Sequence, residues 1–242
     1  GLNTTYGVIN LISGTVNQNA YNIATVRDIN ISGGTFNGSA NSISIGNTMT
    51  ISGGTFVGSS GNITCSGKFI QTGGIFTSTS NTLQVGVAGS GNYSFDITAG
   101  IFNHNSGTVK VSGANHSGWR NLEAYPVWNF ESSQCPTCSN VGTLYIDNNL
   151  LLTSVNSGTV VLKGNYTTVV GGVNVTFTGS NAQSVTGTSL GSSVTIDKSG
   201  GSLTFNNDVT ATGHWNHTAG NIIWNNHKVT SIISFNTATI TN

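Results

Sequence analysis

Seven carboxylates, five histidines and three cysteines are the side chains in this chain of 242 residues best suited to acid–base, metal-ligating or thiol chemistry. The carboxylates are Asp28, Asp96, Glu123, Glu131, Asp147, Asp197 and Asp208. Polysaccharide cleavage or calcium binding would require several of them, with a basic residue, on one outer face. Here they are scattered along the chain at unlike positions. Arg27-Asp28 and Asp197-Lys198 are adjacent opposite charges that read as solvated pairs in turns. His104, His116, His214, His217 and His227 are equally dispersed. His214 and His217 are three apart, which a strand points to opposite faces, and no nearby cysteine or acid offers a third zinc ligand. The histidines are therefore expected as exposed strand or turn residues. No catalytic, cofactor-binding or metal site is expected.

Cys135-Pro-Thr-Cys138 has the spacing of a redox dithiol or of half a zinc knuckle. A knuckle needs a second Cys/His pair, and a thioredoxin-like site needs a βαβ context. Neither is visible, so a local Cys135–Cys138 disulfide tying a surface loop is expected, in an oxidising compartment. Asn-x-Ser/Thr sequons begin at Asn3, Asn30, Asn37, Asn62, Asn92, Asn115, Asn165, Asn174 and Asn216. With 32 Asn, 30 Ser and 34 Thr, composition alone produces about as many, so their number carries no signal. Asn37, Asn92, Asn115 and Asn216 are the candidate glycan acceptors. Trp119, Tyr125, Trp128 and Phe130 are expected to pack against the body or a partner chain in preference to forming a sugar platform.

These residues are set in an unusual background. Only seven basic and seven acidic residues are present, the net charge is zero, and there are two prolines and 33 glycines. Disordered chains carry net charge and few β-branched residues, and helical bundles need the Ala, Leu, Glu and Lys that are scarce here. No basic cluster would capture nucleic acid or an anionic membrane, and no apolar run has the roughly 20 residues of a membrane span. The composition is that of a polar-surfaced, all-β protein.

Internal repetition shows which all-β protein. Ile31-Ser-Gly-Gly-Thr-Phe36 recurs unchanged at Ile51–Phe56, and at the same interval again as Gln71-Thr-Gly-Gly-Ile-Phe76. A fourth copy, Ile97-Thr-Ala-Gly-Ile-Phe102, follows after a longer interval. Ile23, Ile43, Ile63 and Leu83 form one column; Thr25, Ile45, Cys65 and Val85 a second; Ile9, Ile29, Met49, Phe69 and Phe95 a third; Leu11, Ile31, Ile51, Gln71 and Ile97 a fourth. Cys65 is expected as a buried free thiol, and the extra residues before the fourth copy as an insertion near Val87–Asn92. Such a unit cannot bury its apolar face alone, whereas stacked coils about 4.8 Å apart bury it continuously. The fold predicted is a parallel β-solenoid (β-helix) with coils of about 20 residues, in preference to an antiparallel sandwich.

Register fails after Val111. Residues 1–112 form the regular solenoid, and residues 113–141, with both prolines and the Cys-x-x-Cys, read as an elaborated insert or junction. Residues 142–242 read as a second solenoid segment. There Leu144…Leu150 matches Leu203…Val209, and Ser157–Leu162 matches Ala219–Trp224, suggesting a duplicated unit of about three coils. The stretches Phe177–Gly187, Val194–Phe205 and Asn207–Gly213 resemble repeats of large bacterial cell-surface β-helix proteins of the adhesin-like, filamentous-haemagglutinin-like class. That resemblance implies an extracellular or cell-surface setting.

Neither end of the sequence shows a capping helix, and solenoid ends with open strand edges require cover. The expectation is an extracellular structural protein without catalysis, a subunit or segment of a surface fibre. Its partners would be copies of itself joined head to tail, or neighbouring segments of a longer chain, with glycans as optional additions. Ten to twelve coils would make a body of roughly 50–60 Å. The alternative is a carbohydrate-binding or carbohydrate-cleaving β-helix. Ice binding is a lesser one, because the column begun by Thr35 and Thr55 gives way to Ile75 and Ile101.

Overall fold

Short runs in which Ile, Val, Phe or Leu alternate with Thr, Ser or Asn are strands with one apolar face. Gly, Asn and Ser between them turn the chain before any strand grows long. The computed structural model describes residues 7–86, 93–112, 118–133, 140–152, 158–168 and 173–237. Among them every strand pairing is parallel, and equivalent residues of successive coils stand opposite one another. The protein is a parallel β-solenoid of about 10 turns.

Each early coil contributes three strands. Val8–Leu11, Asp28–Ile31 and Met49–Ile51 stack on one wall, and Thr15–Asn17, Thr35–Asn37 and Thr55–Val57 on a second. Ile23–Val26, Ile43–Ile45 and Ile63–Cys65 form the third. Between the first two walls the chain turns at a glycine column. Gly34, Gly54 and Gly74 have φ of +69°, +60° and +63°, a region that costs an L side chain energy and glycine little.

The interior is filled by ladders of like residues. Phe36, Phe56, Phe76 and Phe102 stack with ring centroids 5.2, 4.9 and 5.6 Å apart. Cys65 is fully buried between Ile45 and Val85, and burial pushes its thiol pKa up to about 12. Phe69 stands opposite Phe95 and Val85 opposite Val111, so the extra residues lie between columns that keep their register. The insertion expected at Val87–Asn92 falls outside the described residues. One column differs from expectation: Val26, not Thr25, stands opposite Ile45 and is buried, because the register shifts after Ile23.

The ladder also runs through the region expected to interrupt it. Trp119 stands opposite Phe95 and Phe130 opposite Val109. Both aromatics are buried and meet edge to face at 5.5 Å, so they are core residues on two walls of one coil. Tyr125 packs partly buried against the same core. Beyond it the coils shorten and then lengthen again. Leu144 is followed in its column by Val160, Val175, Val194 and Trp215, at unequal intervals in the sequence. The matches that suggested a three-coil duplication do not survive this register. Leu203 stands opposite Gln183 and Ile222, in a different column from Leu144.

Asparagine abundance has a structural cause. Side-chain oxygens at strand entries accept the backbone N–H of the next coil: Asn22 from Ser42 at 2.9 Å, Asn165 from Ser184 at 2.8 Å and Asn149 from Asn165 at 3.1 Å. Carboxamides also bond to each other across coils, Asn30 to Asn10 at 2.9 Å and Asn37 to Asn17 at 2.8 Å. The ties to Ser42, Ser184 and Asn165 partner backbone N–H groups at strand entries, where the backbone ladder alone would leave them free, and the carboxamide pairs join neighbouring strands.

Candidate functional site

With the register known, the charged residues fall into separate pairs along the flanks. Arg120 makes two 2.7 Å bonds to Asp96 from the next coil, with its guanidinium 5.0 Å from the Tyr93 ring. Lys110 approaches Glu131 at 3.3 Å, and Lys163 donates to Asp147 at 2.7 Å. His227 lies 3.3 Å from Asp208. Asp96, Glu131 and Asp147 thus each have a cation of their own, and Asp208 has an imidazole neighbour. Asp197 is exposed and accepts from Thr218 at 3.0 Å, and Glu123 is exposed. Among the described residues, no three of His, Cys, Asp and Glu come together to hold a metal ion.

Arg27 and Asp28 pair at 2.8 Å, but Asp28 is not the solvated turn residue expected. Its side chain is 11% exposed, at the entry of a strand. Burial alone would raise the Asp28 pKa. Hydrogen bonds from Arg27, the Thr48 N–H and Asn47 together outweigh burial and hold the carboxyl below its ordinary value. A carboxyl with a depressed folded-state pKa adds stability that is present above about pH 4 and lost as pH falls through the folded value. The melting temperature is therefore expected to fall as pH drops below about 4. Asp28→Asn should flatten that dependence, as measured by circular dichroism melts from pH 2 to 7. An unchanged slope in the variant would refute the assignment.

Lys198 departs further from expectation. It is 2% exposed and does not pair with Asp197. Its Nζ donates to the carbonyls of Asn181, at 2.8 Å, and Gly179, at 3.4 Å, and to Gln183 Oε1. Gln183 in turn donates to the carbonyls of Gly164 and Leu162, at 2.7 and 3.1 Å. Burial pulls the Lys198 pKa below the ordinary lysine value. His217 is likewise inside, 4% exposed, where its column continues Ile196, with Nε2 2.8 Å from the Gly220 carbonyl. His214 is on the outer face, so the opposite orientation of the two holds while the exposure expected of His217 does not.

His104 and Trp128 stack at 5.6 Å on one corner. His104 Nδ1 accepts the Ser106 N–H at 2.8 Å, and its Nε2 lies 3.8 Å from Asp147. On another flank, Asn62, Thr64, Thr82, Gln84, Lys110 and Glu131 line a shallow depression of about 310 Å³. These are hydrogen-bonding groups from four successive coils, suited to contact with a polar chain.

Of the candidate modification sites, Asn37 is half-buried with its carboxamide in the Asn17 tie, and Asn216 is half-buried on a strand. Cys135, Cys138, Asn92, Asn115 and His116 lie outside the described residues. At the axial extremes, Val8–Leu11, Thr15–Asn17 and Ile23–Val26 pair only with the following coil among the described residues, and Val229–Thr237 only with the preceding one. Among the described residues no helix is long and apolar enough to cross a membrane. No protein-family model, curated protein or solved structure matches the chain.

Proposed function

We propose that this chain is a structural rod element of an extracellular surface fibre of the adhesin-like kind, working without catalysis. The observation that carries this is the continuous axial ladder. Core columns, parallel strand pairing and asparagine ties all run along one direction, so tension along the rod is shared by many hydrogen bonds. Charges are few and matched in pairs across coils, which keeps the flanks polar without mutual repulsion.

Among the described residues the strands at either axial extreme are paired on one side only, and in the proposed fibre the other side takes a further coil. In the fibre, that coil belongs to another copy joined head to tail, or to a neighbouring segment of a longer chain. Head-to-tail contacts of this type propagate as open filaments. Electron microscopy of native protein is expected to show unbranched filaments with an axial repeat of roughly 50 Å for about ten coils. Monodisperse particles at high concentration would refute self-assembly and direct attention to polysaccharide binding at the depression lined by Gln84, Lys110 and Glu131.

A further inference from the structure

One wall carries, among the described residues, two outward columns with no charged residue in either. Thr15, Thr35, Thr55, Ile75 and Ile101 stand in register on successive coils. Two residues along each strand, Asn17, Asn37, Val57, Thr77 and Asn103 form a second column in the same register. The aromatics between the columns, Phe36, Phe56, Phe76 and Phe102, all point inward. The corner beside them is Gly-Gly in three of the five coils, at Gly33-Gly34, Gly53-Gly54 and Gly73-Gly74, where it adds no side chain to that edge.

The spacing is fixed by the fold at about 4.8 Å between coils and roughly 6.7 Å between columns. Val57, Ile75 and Ile101 are 39%, 39% and 44% exposed, a cluster of large apolar side chains at adjoining positions of one flat surface. Water over methyl groups has restricted orientation, and here the hydroxyls of Thr15, Thr35 and Thr55 stand in one column, beside Asn17 bonded to Asn37 and Asn103 bonded to Thr77 in the other. The wall measures roughly 20 by 10 Å on these spacings. Two copies packed through it would bury about 400 Å², well under the ~1,200 Å² of a stable protein interface. With no aromatic ring exposed on it, the wall also lacks the stacking platform that sugar rings favour. A second chain and a polysaccharide are both poorer occupants than ordered water.

We infer that this two-column Thr/Ile/Asn wall is an ice-binding surface, whose ligand is the water lattice at a crystal face. The inference is independent of filament formation. Its test is ice-crystal morphology and thermal hysteresis of the purified full chain, with Thr55→Tyr and Ile75→Lys on the wall and Ser44→Tyr at an exposed position of another wall. All are checked for native β circular dichroism. The expected result is faceted crystals and a hysteresis gap that falls at least tenfold in folded Thr55→Tyr or Ile75→Lys and is unchanged in Ser44→Tyr. Unshaped ice with the folded parent chain overturns the inference, as does retention of the gap by the wall variants or its equal loss in Ser44→Tyr. Retention on crystalline cellulose or chitin that Thr55→Tyr abolishes, without ice shaping, would reassign the wall to a polysaccharide and equally overturn it.

Discussion

Gly54→Val is expected to prevent the native fold from forming at room temperature, with loss of the β circular dichroism signal and of the cooperative melt. Gly54 sits at φ +60° at the corner between two walls. Placing a non-glycine residue in that region costs about 1–3 kcal/mol. The larger cost is steric. A Cβ there would lie 2.6 Å from the Gly33 carbonyl carbon and 2.7 Å from the Gly34 oxygen, both backbone atoms of the preceding coil. Neither can withdraw without parting the Thr35–Thr55 pairing. Gly14 provides the control, since it has φ +79° and a Cβ added there would meet nothing within 4 Å. Gly14→Ala should therefore show only the conformational cost of about 1–3 kcal/mol in urea unfolding. Similar stability losses for the two variants would refute the stacked-corner account.

That corner was legible because the first coils are of equal length. Equal coils place like residues on top of one another, so Gly34, Gly54 and Gly74 recur at a constant interval in the sequence itself. The same holds for Cys65, whose burial follows from its place between Ile45 and Val85. Where coil length varies, the periodic signal disappears although the ladder does not. Leu144, Val160 and Val175 are successive neighbours in space on coils shorter than the early ones, and sequence similarity joined Leu144 to Leu203 instead. Trp119 and Phe130 were hidden for the same reason, each standing in a column whose previous occupant lies at an unequal interval. The flank ion pairs needed the register too: nothing in the local sequence joins Asp96 to Arg120, one coil further on. The second column of the Thr/Ile wall mixes Asn, Val and Thr, so it becomes visible only when strands are stacked.

Polar residues inside the rod were the least legible feature, because residue type suggests solvent while pairing decides location. Lys198 is the sharpest case, and Lys198→Met is expected to cost roughly 3 kcal/mol, about 1 kcal/mol for each acceptor deprived of a donor. Methionine approximates the volume of the lysine stem, so packing should change little. What is lost is the ammonium that bonds the Gly179 and Asn181 carbonyls and Gln183 Oε1. Lys198 thereby closes a corner where the chain turns between strands Asn174–Thr178 and Gln183–Thr186. The opposing consideration is that burial itself disfavours the charged amine, the cause of its lowered pKa. If that cost dominated, the apolar substitution would be neutral or stabilising, as replacement of buried ionic groups can be. The two cases separate in urea unfolding of Lys198→Met, Gln183→Leu and the double variant. A corner held by the lysine predicts a destabilised Lys198→Met and a double variant less destabilised than the sum of the singles, since Gln183→Leu removes one of the orphaned acceptors. A Lys198→Met variant as stable as the parent chain would show that the interior tolerates the amine without depending on it.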